Sequence, residues 1–81
     1  MAEYHVACEV AGSVWKIAVD VGDVVATGDV LIILESMKME IPLESPVAGR
    51  VKALLATVEQ TVAEGEVLVV VSTEEAPLGN T

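Results

Sequence analysis

Residues 11–35 read AGSVWKIAVDVGDVVATGDVLIILE, and residues 48–72 read AGRVKALLATVEQTVAEGEVLVVVS. Shifted by 37 residues, the two stretches align without a gap, and nine of the 25 positions are identical. The identities are Ala11/Ala48, Gly12/Gly49, Val14/Val51, Val21/Val58, Val25/Val62, Ala26/Ala63, Gly28/Gly65, Val30/Val67 and Leu31/Leu68. A repeat of this kind marks a unit that cannot bury its apolar face alone and is completed by its copy. Each half reads as the same series. Gly12 or Gly49 opens a strand, a turn follows, Val24-Val25 or Thr61-Val62 makes a very short strand, and Gly28-Asp29 or Gly65-Glu66 turns the chain into an apolar strand.

Two details refine that series. Val14/Val51 and Ile17/Leu54 are apolar in both halves yet three positions apart, which strict alternation cannot place on one face. A bulge or a change of sheet near Trp15-Lys16 reconciles them. The first turn carries Gly22-Asp23 in one half and Glu59-Gln60 in the other. A residue with a Cβ resists positive φ, so a different turn type is expected at Glu59. The runs Val30–Leu34 and Val67–Val71 are apolar at every position and read as strands covered on both faces. Thr73–Thr81, with Glu74-Glu75, Pro77 and Gly79, reads as a flexible C-terminal tail.

Composition points the same way. The 81 residues allow one domain and offer little material to enclose a deep, dry pocket, which argues against a stand-alone enzyme. There are 16 Val and 4 Ile but only two aromatic residues, and β-branched side chains fit a pleated surface better than a helix. The fold class is therefore all-β. Asp and Glu outnumber Lys and Arg 13 to 4, for a net charge of −9. That field repels phosphate backbones and anionic lipid, so nucleic acid and membrane are discounted as partners. The longest apolar runs fall far short of the roughly 20 residues of a membrane span. Met1-Ala2-Glu3-Tyr4 lacks the basic patch and apolar stretch of a secretory leader, and together with the loose tail favours a free-standing protein. Cys8 is the sole cysteine, which excludes an internal disulfide, suits a reducing, cytoplasmic setting, and reads as a small buried hydrophobe. His5 is alone, with no companions for a metal site or a nucleophile–base pair.

The chemistry lies between the repeats, in Glu35-Ser36-Met37-Lys38-Met39-Glu40. The apolar run ends at Leu34 and alternation resumes with Ile41 and Leu43, so the chain reverses in between. Pairing Glu35 with Glu40 and Ser36 with Met39 leaves Met37-Lys38 at the centre of a two-residue hairpin. Such turns favour Asn-Gly or Asp-Gly, because a type I′ turn needs positive φ twice. A turn built from unsuited residues suggests that its side chains serve another purpose. Lys38 then projects from the tip, either as a solvated lysine beside two carboxylates or as a presented group. Met37 and Met39 either fold back onto the body or form a soft recognition patch around the lysine.

This segment resembles the modification site of biotinyl domains, the biotin carboxyl carrier proteins, whose usual motif is Ala-Met-Lys-Met with Ser36 here at the Ala position. Val21-Gly22-Asp23, Gly28-Asp29 and Leu31 before the lysine, and Ala48-Gly49, Gly65 and Leu68 after it, sit where the family has similar residues. The resemblance covers residues 5–72, taken as the biotinyl domain. It implies a flattened eight-stranded barrel, a barrel-sandwich hybrid of two four-stranded antiparallel sheets with quasi-two-fold symmetry. The gap-free alignment of the halves leaves no room for the inserted thumb of some members. It implies Lys38 as the covalent biotin acceptor, at an exposed turn opposite the termini, with Glu35, Ser36, Met37 and Met39 as the motif recognised by a biotin protein ligase. Biotin carboxylase and carboxyltransferase are the implied partners of a non-catalytic carrier, a monomer in isolation. Acylation would take the net charge from −9 to −10. Two rival readings keep the architecture. Lipoyl domains are similar but usually present Asp-Lys-Ala at the tip, and an unmodified barrel-sandwich interaction module would have no reason to place Met-Lys-Met there.

Overall fold

A computed structural model of the chain describes residues 2–73; residues 74–81, read from sequence as a flexible end, lie outside them. Eight strands follow in order: β1 (Ala2–Ala7), β2 (Gly12–Ile17), β3 (Val24–Val25), β4 (Val30–Ser36), β5 (Met39–Glu44), β6 (Gly49–Leu54), β7 (Thr61–Val62) and β8 (Val67–Thr73). Moving β1–β4 by 37 residues reproduces β5–β8 with identical bounds. The repeat read from sequence therefore extends outward to 2–36 and 39–73, and Met37-Lys38 alone lies between its copies.

The strands form two four-stranded antiparallel sheets, ordered β1-β8-β6-β3 and β5-β4-β2-β7. Each sheet takes its two inner strands from one half and its two edge strands from the other. The halves thus interleave, a tighter dependence than one half merely covering the other. Together they make the flattened, quasi-two-fold barrel-sandwich expected, with no inserted thumb. Alternation along a strand reveals which residues face inward but not which edge a distant strand will join, so the exchange was not legible.

Trp15 is the extra residue of a bulge in β2: Val14 faces Leu34, and Lys16 faces Ile33. Lys52 occupies the same place in β6, where Val51 faces Val71 and Ala53 faces Val70. The bulge restores the apolar phase, so Val14 and Val51 are buried while Ile17 and Leu54 pack against the core from its rim. The core is built of equivalent pairs, Leu31/Leu68, Ile32/Val69, Leu34/Val71 and Val25/Val62. Cys8 is buried as expected, with its Sγ donating to Ala63 O at 2.9 Å.

The expectation of a different turn at Glu59 is overturned. Glu59 adopts φ 73° where Gly22 adopts 98°. In the first half, Asp20 N donates to Asp23 Oδ2 at 2.9 Å and Asp23 N to Asp20 O at 3.1 Å. In the second, Thr57 N donates to Gln60 Oε1 at 2.9 Å and Gln60 N to Thr57 O at 3.1 Å. Each turn is then clamped to the other half, by Gly22 N to Val51 O at 2.8 Å and by Glu59 N to Val14 O at 2.7 Å. This frame outweighs the resistance of one Cβ to left-handed backbone, about 1–2 kcal/mol.

At the ends, β1 begins at Ala2, and β8 runs to Thr73, facing Ala2. Thr73, assigned to the tail by its polar neighbours, is a buried strand residue whose Oγ1 donates to Ala2 O at 3.4 Å.

Candidate functional site

The strands β4 and β5 pair as Leu34↔Ile41, Glu35↔Glu40 and Ser36↔Met39, leaving Met37 and Lys38 as the central residues of the hairpin. Their φ angles are 53° and 67°, both in the left-handed region that a type I′ turn requires. Each costs roughly 1–2 kcal/mol for a residue with a Cβ. Glu59 shares that strain but rests in a hydrogen-bonded frame tied to β2; this tip is held only by the ladder below it.

The side chains stand clear of the body. Met37 is 90% exposed and Met39 63%, so neither folds back onto the barrel. Lys38 is exposed, and none of the ion pairs found among the described residues involves it. Glu35 and Glu40 lie directly opposite each other, a like-charge pair that mildly weakens the rung and keeps the stem acidic. Ser36 is half-buried and turned inward. The structure thus gathers all five sequence-singled residues, Glu35, Ser36, Met37, Lys38 and Met39, on one hairpin tip.

One supporting residue was missed. Gly12 opens β2 directly beneath the stem: a Cβ there would lie 2.5 Å from Glu35 O and 3.3 Å from the Ser36 Cβ. The signal was present, since Gly12/Gly49 is one of the repeat's identities, but it was read only as a strand opener.

The remaining charges belong to the flanks. Lys52 and Glu3 form an ion pair across β8, and the Lys52 ammonium, by hydrogen bond first and by charge second, holds the Glu3 carboxyl below its ordinary value. His5 is exposed, with its Nε2 3.9 Å from Glu3 Oε1.

Fold and tip together define a class of protein: a small two-sheet module with one lysine displayed on a strained hairpin. The chain belongs to the biotin/lipoyl family, for residues 5–71 match the family described as "Biotin-requiring enzyme". It is 52% identical over 48 residues to the biotinylated protein TB7.3 homolog of Mycobacterium leprae, a stretch that is 59% of this chain and 66% of that one. It is 50% identical over 38 residues to the biotin/lipoyl attachment protein of Bacillus subtilis, 47% of this chain and 52% of the relative. The chain thus spans about half to two thirds of the curated relatives it matches. Among solved structures, the Kluyveromyces lactis urea carboxylase superposes with a TM-score of 0.85 at 30% identity, over 89% of this chain and 6% of that one. A single-chain, multi-domain long-chain acyl-CoA carboxylase superposes with a TM-score of 0.83 at 33% identity, over 90% and 7%. In both, the match is a small part of a much larger chain.

Proposed function

We propose that this chain is a biotin carrier with no catalysis of its own, and that Lys38 is the residue biotinylated. The observation that carries the reading is the tip itself: an exposed lysine, in no ion pair among the described residues, at the centre of a strained two-residue turn and between two solvent-facing methionines. Membership of a family described by its need for biotin supports the cofactor. Likeness to short segments of two carboxylases supports the setting.

The residues suit the group. A lysine amine is almost wholly protonated at neutral pH and does not acylate itself at a useful rate. A ligase must therefore bring an activated biotin acyl group and remove a proton from Nζ, which then forms the amide as the activating group departs. The tip lets an enzyme enclose Lys38 without disturbing the core, and Glu35, Ser36, Met37 and Met39 are the surface it reads. The fixed φ angles present the lysine in one orientation, which lowers the ordering cost of recognition. Once attached, biotin supplies a ureido nitrogen that takes up and releases carboxylate. The chain supplies reach: a tethered group meets a biotin carboxylase and then a carboxyltransferase at high effective concentration. The single buried Cys8, without a disulfide partner, suits the reducing cytoplasm proposed as its location.

Intact mass after co-expression with a biotin ligase tests this. The wild type gains one biotin, and Lys38→Arg gains none while folding normally. An unmodified wild type, or an equally modified Lys38→Arg, overturns the reading. An adduct of lipoyl mass transfers the site to the lipoyl branch of the same family.

A further inference from the structure

Among the described residues β1 and β5 are edge strands of the two sheets, as are the two-residue β3 and β7, and a groove of about 480 Å³ runs between β1 and β5. Its apolar lining includes Val10, Leu34, Ile41 and Leu43, and its polar rim includes His5 and Glu44. The groove begins at Ile41, two residues along β5 from Met39. Met39, Ile41 and Leu43 alternate onto one face of β5, with Ser36 and Leu34 opposite the first two. Exposure falls along this row from 63% at Met39 to 9% at Leu43, so an apolar ramp descends from the residue beside Lys38 into the groove.

The geometry points to this groove as a resting site for the head group carried on Lys38, an inference that rests on the carrier reading. The occupant is a biotinyl bicycle, with one apolar thioether side and a ureido group bearing two N–H donors and one acceptor. The lining matches that division, since the partly exposed Ile41 and Val10 offer apolar contact above the buried Leu34, Glu44 accepts hydrogen bonds, and His5 can donate one. The reach is sufficient. Eleven bonds separate the Lys38 Cα from the ring, roughly 14 Å when extended at ordinary bond lengths. Ile41 lies three strand residues away, about 10 Å. A partner's β-strand suits the groove less well, because Pro42 in the middle of β5 deprives that edge of a backbone donor. Parking there would shield the ring between visits to partner enzymes and hold it on one side of the hairpin.

The test compares methyl NMR spectra of the full chain before and after biotinylation, with the adduct first verified by mass. Docking predicts shift changes at Ile41, Leu34 and Val10, and cross-relaxation between ring protons and the Ile41 methyls. Ile41→Thr should erase both while leaving the Leu31 and Leu68 methyls in place. It should also speed capture of the biotinyl group by a soluble biotin-binding protein roughly threefold, the factor by which docking lowers the free fraction. Shift changes confined to residues 36–39, or equal capture of wild type and variant, overturn the inference. Absence of any adduct is read at the mass stage and overturns the carrier reading, and this inference with it.

Discussion

The turns at Asp20–Asp23 and Thr57–Gln60 have the same backbone shape and the same hydrogen bonds, made from different side chains. One has the expected glycine at its left-handed position and the other has Glu59. The difference teaches that within this fold the frame dictates the turn and the residue only sets its cost. The hairpin tip is the informative contrast. Met37 and Lys38 also take left-handed backbone, yet no second half clamps them, and among residues 2–73 they alone have no counterpart. Strain at Glu59 is absorbed by the repeat, whereas strain at Met37-Lys38 stands at the one position where the symmetry stops.

Four measurements press on this comparison. The largest effect belongs to the core. Leu31→Ala and Leu68→Ala each remove a fully buried side chain at equivalent places and should each cost about 2–5 kcal/mol in chemical denaturation. Equivalence requires the two losses to agree more closely than the roughly 2 kcal/mol spread that unrelated Leu→Ala sites show from local relaxation. A larger gap shows that the halves are alike in outline only. Next come the glycines under the stems. Gly12→Ala and Gly49→Ala both force a Cβ against backbone, at Glu35 and Ser72 respectively, and should each cost about 1–3 kcal/mol. Here the symmetry should break in function: Gly12→Ala slows ligase-catalysed modification, because Glu35 and Ser36 must shift, while Gly49→Ala leaves it near the wild-type rate. Equal slowing would mean that stability, not tip geometry, governs the reaction.

A smaller gain is expected from Glu59→Gly. Relief of left-handed strain, less the extra freedom of glycine in the unfolded chain, leaves a stabilisation of roughly 0.5–1 kcal/mol. A loss of stability would show that the Glu59 side chain contributes more than its backbone costs. The smallest effect concerns pH. Glu3 is held low by Lys52, so its contribution to stability is present above its unfolded value and fades as pH falls through the folded one. NMR titration should place Glu3 below the ordinary glutamate value, and Lys52→Met should return it toward that value. An unchanged midpoint in Lys52→Met removes the ion pair as the cause.

How far the sequence could be read follows from the same contrasts. An irregularity near Trp15-Lys16, a bulge or a change of sheet, was legible because Val14 and Ile17 break a simple period, and the structure makes it a bulge; the hairpin was legible because alternation stops at Leu34 and resumes at Ile41. Turn chemistry singled out Met37 and Lys38, and the resemblance of residues 35–40 to a biotinyl motif supplied the roles of Lys38 and its neighbours. Glu59 was misread because propensity describes a residue by itself, and here two hydrogen bonds within the turn and one from β2 decide. The exchange of edge strands, the support under Glu35 and the groove beside Ile41 were invisible, since each depends on which distant strands become neighbours. Thr73 was lost to the tail because its partner, Ala2, lies at the other end of the chain.

The interleaved edges make each half a partner for the other. A lone 35-residue half would expose both flanks of its inner pair of strands, and a second identical copy, turned about a true dyad, would cover them. The architecture has the form of two equivalent copies placed about a dyad and joined in one chain, with Met37-Lys38 as the joint. The presented lysine thus sits at the seam where one lobe hands the chain to the next.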